Sequence, residues 1–293
     1  MNADPSPNYE QALATLTAPD APFALVDAEI HGVPMRLFRK APPTLRDFLQ
    51  GLRSKGAAEF LVYEDERYSY AGVIERVDAL AAAMVHDYGV GRGDRVAIAM
   101  RNYPEWVIAY FATTSIGAVA VGLNAWWTTE EIDYGVRDCG ARLVIADPER
   151  LERIVPLLAD LEPLGVRVVA VRMHGASEVL PPQVEYWDDL LARHAGSAIP
   201  AVEIDPDDDA MILYTSGTTA YPKGVVSTHR AVMQALFAFG CRAIANSLAR
   251  PPKTRHPFST CYILIVPLFH VTGLVPVMLG CAFGGNKLVM MYK

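Results

Sequence analysis

Met211–Arg230, MILYTSGTTAYPKGVVSTHR, is the stretch on which the reading of this chain turns. Met211-Ile212-Leu213-Tyr214 is a short apolar run with the composition of a buried strand. It stops at Thr215-Ser216-Gly217-Thr218-Thr219, where four hydroxyls surround a glycine. Pro222, Lys223 and Gly224 follow, then two valines, and Ser227-Thr228-His229 read as the start of a helix through Phe239. A loop of this composition can turn backbone N–H groups and hydroxyls onto one anion, because little side-chain bulk stands in the way. Lys223 adds a mobile ammonium with three donors. The guest such a loop suits is a polyphosphate. Taken alone, a Gly/Ser/Thr/Pro cluster between periodic segments is ordinarily just a connection, so the surroundings have to carry the argument.

Outward from the loop, strands alternate with helices. Asp94–Met100 reads as a strand, Pro104 as a helix start, Trp106–Ile116 as a helix and Ala118–Leu123 as the next strand. Thr128-Thr129-Glu130-Glu131 opens a helix with acids near its positive end. Ala141–Ala146, Pro148–Leu161 and Val166–Val171 continue as strand, helix and strand. Earlier, Thr44 caps a helix with Leu45, Phe48, Leu49 and Leu52 on one face. Glu59–Ser69 alternates around a turn at Glu64-Asp65-Glu66, and a helix over Ser69–Tyr88 follows. Strand–helix alternation predicts an α/β chain with doubly wound, mostly parallel sheets and flanking helices, whose ligands sit beyond the carboxyl ends of the strands. Residues 1–45 hold seven of the 21 prolines and read as an arm, the first twenty residues poorly ordered. Residues 46–200 read as a first α/β subdomain, and 201–293 as a second that carries the loop.

The chain has 293 residues, 52% hydrophobic and 20% charged, with net charge −7. An acidic balance argues against a general nucleic-acid binder. Cys139, Cys241, Cys261 and Cys281 lack metal spacing and read as buried apolar thiols in a reducing compartment. Asp205–Asp209 holds four aspartates but reads as a solvated loop. No secretory h-region precedes Pro22, and a cytoplasmic location follows as an expectation. Two uncharged runs, Trp106–Trp127 and Tyr262–Phe283, are long enough to span a bilayer. Glycine or proline interrupts each, so both read as core, with no transmembrane segment expected.

The loop is not a Walker A loop, because the lysine precedes the glycine and Pro222 stands before it. Its order, Thr215 to Gly224, resembles the phosphate-binding signature TSG-[ST]-TG-x-PKG of the adenylate-forming enzymes, with nine of ten positions matching. Ala220 stands where that family usually has glycine, a change worth about 1 kcal/mol of strain if φ there must be positive. Three further blocks carry the same resemblance: Gly93-Asp94-Arg95-Val96-Ala97-Ile98 with Asn102-Tyr103-Pro104-Glu105-Trp106, then Gly117–Asn124, then Pro267-Leu268-Phe269-His270. Together they cover the chain from about residue 45 onward and point to the acyl-CoA synthetase branch.

What this resemblance implies is ATP-dependent activation of a hydrophobic, fatty-type carboxylic acid to an acyl adenylate and then a CoA thioester. ATP, Mg2+ and CoA would be required. Thr215, Ser216, Gly217, Thr218, Thr219, Lys223 and Gly224 would hold the β and γ phosphates, and the Thr219 hydroxyl would complete the magnesium shell. His270 would lie where the carboxylate meets its pocket, and Gly273 with the apolar helix through Met278 would shape an acyl tunnel. The family continues past Lys293 with a magnesium-binding glutamate, a ribose-binding aspartate, a hinge and a C-terminal domain carrying a catalytic lysine. The chain is therefore expected to be the truncated N-terminal domain of such a fold, inactive alone. Three rival readings stay open: an idle scaffold or homodimer joined at an open sheet edge, a membrane-anchored protein, and a fatty-acyl-AMP ligase serving a carrier protein.

Overall fold

A computed structural model describes residues 7–173, 180–215, 221–251 and 260–292. The chain begins with α1 (Tyr9–Thr17), the hairpin β1 (Leu25–Ile30) and β2 (Val33–Phe38), and α2 (Leu45–Leu52). Next come β3 (Glu59–Tyr63), β4 (Glu66–Ser69) and α3 (Tyr70–His86). The strand–helix units are β5 (Arg95–Ala99), α4 (Pro104–Ser115), β6 (Val119–Gly122), α5 (Thr129–Cys139) and β7 (Ala141–Ala146). They continue through α6 (Pro148–Ile154), α7 (Leu158–Leu161), β8 (Arg167–Ala170), β9 (Val184–Tyr186) and α8 (Trp187–Arg193). The last set is β10 (Asp209–Thr215), β11 (Lys223–Thr228), α9 (His229–Ala249), β12 (Cys261–Leu264), α10 (Gly280–Phe283) and β13 (Lys287–Met290).

Two sheets organise these elements. Seven strands lie in the order β11-β10-β6-β5-β7-β8-β9, and four in the order β12-β13-β3-β4, with β1–β2 a separate ribbon. In the large sheet every pairing is parallel except β10 with β11. Both its faces are covered. Val96, Ile98, Leu143 and Ile145 face one core, shared with α3, α4 and α9, while Ala97, Ala99, Val144 and Ala146 face a second core under α5, α6 and α7. Burial on both faces is why these strands read as continuous apolar runs rather than as alternation.

The uncharged run from Trp106 is accordingly α4 and β6, buried almost throughout. Among the described residues one helix, α9, is long and apolar enough to cross a membrane. It buries Val232, Met233, Leu236 and Phe237 against the core and packs on α1.

Several expectations need correction. The first twenty residues include an ordered helix: Asn8 and Gln11 close a capping box on α1, and Ala12 and Leu16 are buried. Both sheets draw strands from either side of residue 200, so chain order does not partition the sheets. Lys223–Thr228 is a strand that the sequence reading did not identify, and the cross-strand register Thr215↔Lys223 to Asp209↔Thr228 accounts for its valines, while Thr228 caps the helix that starts at His229 as expected. The helix then runs to Ala249, well past Phe239. Pro148–Leu161 is α6 and α7 with a 3-10 turn at Val155–Leu157 between them, since Pro156 has no N–H to continue the ladder. Cys261 is exposed, because it opens the edge strand β12.

Candidate functional site

The carboxyl ends of β5, β6 and β10 come together at one rim of the large sheet, and three segments meet there. From β10 the alternation of the strand aims Met211 and Leu213 toward one core and Ile212 and Tyr214 toward the other. After β6, Asn124 accepts the Trp126 N–H at 3.0 Å and holds the chain in a tight turn toward α5. The third segment, Val266–His270, is brought across from the smaller sheet by the buried Asn102. That side chain donates to the Val266 carbonyl at 3.0 Å and accepts the Leu268 N–H at 2.9 Å. The Asn-x-Pro-Glu-Trp block thus acts at a distance, stapling the segment that carries Phe269 and His270.

Gly122 completes the placement. A Cβ there would lie 3.1 Å from the Phe269 Cα and 3.0 Å from Leu213. Glycine lets the Phe269 turn rest directly on the end of β6, where a side chain would be tightly packed.

The consequence is a cavity of about 360 Å³ lined by residues that include Asn124, Leu213, Thr215, Phe269, His270 and Val271. Thr215 and His270, far apart in sequence, share its wall. His270 Nδ1 accepts the Thr272 N–H at 3.4 Å, which leaves Nε2 of the neutral ring as a donor. A second cavity of about 280 Å³ lies beside it, lined by Asn124, Trp126, Trp127, Glu131, Tyr214, Thr215 and Pro222. A third, of about 180 Å³, is lined by Arg101, Asn102, Trp126, Ile265, Pro267, Phe269 and Tyr292. There the Arg101 guanidinium sits between the rings of Trp126 and Tyr292, 4.9 and 5.1 Å from their centroids.

Ser216, Gly217, Thr218, Thr219 and Ala220 lie outside the described residues, so the magnesium role expected for Thr219 and the strain expected at Ala220 fall there too. Thr215 is the last residue of β10 and its hydroxyl faces the Lys223 carbonyl at 3.4 Å. Lys223 opens β11 exposed, with no ion pair among the described residues. Gly224 pairs with Tyr214, and a Cβ there would meet Ile212 Cγ2 at 2.8 Å, so close packing across the hairpin demands glycine.

Gly273 is set back from the cavities. It begins a π-helical stretch, Gly273–Leu279, that contains Pro276, and a Cβ on it would strike the Pro267 carbonyl oxygen at 2.2 Å. Leu274, Val275, Met278 and Leu279 of that stretch are buried in the core. A missing N–H at Pro276 inside an apolar helix is the physical reason for the wider turn.

Sequence reasoning did not single out Asn102, Gly122, Asn124, Trp126 or Tyr214 as site residues. All five stand inside or next to the quoted motif blocks, Tyr214 directly before Thr215, and that position was the available signal. Tyr214 faces α5, donates to Asp138 Oδ2 at 2.6 Å and packs edge-on to Trp127. Burial and the Asp138 carboxylate both push its phenol upward, so it remains a protonated donor.

At the carboxyl rim of this mostly parallel sheet a β-hairpin opened by Lys223 and a His-bearing turn stand together, and the sequence profile of the AMP-binding enzyme family matches residues 49–293. The chain belongs to this adenylate-forming family, and its relatives are acid–CoA ligases. It is 31% identical over 218 residues to 4-coumarate–CoA ligase 2 of Oryza sativa subsp. japonica, covering 72% of this chain and 37% of the relative. It is 32% identical over 230 residues to long-chain-fatty-acid–CoA ligase FadD13 of Mycobacterium tuberculosis, covering 78% of this chain and 40% of the relative. Among solved structures, a Mycobacterium tuberculosis fatty acyl CoA synthetase superposes with a TM-score of 0.65 at 26% identity, over 86% of this chain and 45% of that one. The chain thus spans 37% and 40% of the length of the two curated relatives.

Proposed function

We propose that this chain supplies the phosphate-binding and carboxylate-binding walls of an acid–CoA ligase, in which ATP converts a carboxylic acid to an acyl adenylate. The observation that carries the reading is the shared wall: Thr215, at the foot of the hydroxyl-rich hairpin, and His270 line one cavity at the sheet's carboxyl rim. In the reaction a carboxylate oxygen attacks the α-phosphorus and pyrophosphate leaves. Charge concentrates on the leaving phosphates, so donors already held in place there lower the barrier without reorganising. Lys223 and the loop it follows would meet that charge. The His270 Nε2–H would donate to the carboxylate and orient it for attack.

Magnesium would enter with the nucleotide. Among the described residues no three His, Cys, Asp or Glu side chains are grouped to hold a metal, and this ion is commonly held through substrate phosphates with few protein ligands. For the acid, the apolar lining by Leu213, Val225, Phe269 and Val271 favours a hydrophobic acyl or aryl group, and a fatty acid is the reading we adopt. Coenzyme A is the acceptor that the relatives' names support.

The test is ligand-dependent stability. Binding at a hundred times Kd stabilises a fold by about 2.7 kcal/mol. Lys223→Ala is expected to abolish the rise in melting temperature that ATP–Mg gives, while leaving the unliganded value nearly unchanged. A variant that answers ATP like its parent would remove the lysine from phosphate binding and the reading with it.

A further inference from the structure

Both arms of the hairpin that carries the hydroxyl-rich loop are held by one helix. On the rising arm, the Tyr214 hydroxyl donates to Asp138 Oδ2 at 2.6 Å. On the descending arm, the ring of Tyr221 stacks on Tyr134 with centroids 4.7 Å apart and 25° between planes. The Tyr134 hydroxyl donates to the Pro222 carbonyl at 3.2 Å, with Asp138 Oδ1 at 3.3 Å as its alternative acceptor. One carboxylate on α5 therefore bonds to the first arm and backs the residue that grips the second. The helix itself is anchored at its start by the Thr128–Glu131 capping box. It is also seated closely against Trp127, because any Cβ at Gly135 would come within 2.6 Å of that ring.

These groups contribute little to the core. Asp138 is exposed, Tyr221 is 62% exposed, and neither Tyr134 nor Asp138 lines the cavity shared by Thr215 and His270. A stack and two hydrogen bonds at the rim are poor investments in global stability but effective constraints on the two strand ends they join.

We propose that Tyr134 and Asp138 are positioning residues that set the separation of the hairpin arms at Tyr214 and Tyr221-Pro222, and through it the placement of Thr215 and Lys223 for a polyphosphate. This rests on the nucleotide reading above. Neither side chain touches substrate in this scheme; each acts through the backbone it holds.

The experiment uses the full chain with Tyr134→Ala, Tyr134→Phe, Asp138→Asn and Lys223→Ala. Hydrogen exchange is followed over residues 209–228, and calorimetry measures affinity for ATP–Mg and for inorganic pyrophosphate. Tyr134→Ala and Asp138→Asn are expected to speed exchange at the arm ends about tenfold and weaken both ligands about tenfold, with exchange elsewhere and the melting temperature unchanged. Tyr134→Phe, which keeps the stack, is expected to recover most of both. Unchanged exchange at the arms would overturn the proposal. So would acceleration spread through the whole chain, or loosened arms with undiminished affinity. If Lys223→Ala loses ATP while Tyr134→Ala keeps it, the positioning role fails and the nucleotide reading stands. If the parent chain binds neither ligand, the nucleotide reading fails, and the phosphate role of Tyr134 and Asp138 falls with it.

Discussion

His229 opens α9 with its imidazole fully buried, Nδ1 accepting the Leu45 N–H at 3.2 Å and Nε2 without a hydrogen-bond partner among the described residues. Burial, outweighing the pull of Asp208 and Asp47, lowers its pKa from 6.5 to about 4. The unfolded chain therefore takes up a proton between those values that the folded chain refuses. Stability from this group is complete above pH 6.5 and is lost as pH falls toward 4, by about 3 kcal/mol. Denaturant melts across that range should show a shallower acid decline for His229→Asn, whose side-chain carbonyl can still accept from Leu45. Parallel declines in parent and variant would remove His229 from the account. The residue was passed over in the sequence because Ser-Thr-His reads only as a helix start, and burial of the ring depends on α2, which is remote in the chain.

At the scale of the element, the turn that presents His270 depends on glycines that side chains cannot replace. Gly273→Ala would drive a methyl into the Pro267 carbonyl, backbone that has no room to yield. A cost of about 3 kcal/mol is expected from such overpacking, read as a lowered urea midpoint with an unchanged slope. A midpoint within experimental error of the parent would show that the Val266–Gly273 turn relaxes freely. The motif residue is thus legible as glycine in the sequence, but its reason is not: the resemblance implied a place beside an acyl tunnel, and the geometry adds a backbone crossing at Pro267 that a side chain would block. The hairpin strand β11 was missed for a related reason. Two consecutive valines at an edge carry no clear alternation, and its partner strand supplies the register.

Across the whole molecule, Arg172 ties the two sheets together. It leaves β8 with φ +54°, pairs with Glu66 at the start of β4 at 2.8 and 2.9 Å, and reaches Glu105 in α4 at 2.9 Å. Its guanidinium also stacks over Tyr63 and Tyr103, at 4.8 and 4.6 Å. Burial pushes the Glu105 carboxyl up while the arginine pulls it down, so removing the arginine strands a charge. Arg172→Met is expected to cost about 3 kcal/mol, part of it recovered by adding Glu105→Gln. Equal stability of the parent and the single variant in denaturant would show that the sheets need no such tie. By itself the sequence determined the α/β class, the helices near α2 to α5 and the parallel strands β5 to β8, since these rest on local periodicity and caps. Only the tertiary structure decided that Asn102 staples the His270 segment, that Thr215 and His270 share a wall, and that α5 grips the hairpin arms. Those are contacts between segments distant in the chain, and no local pattern records which distant surfaces will meet when the apolar faces are buried together.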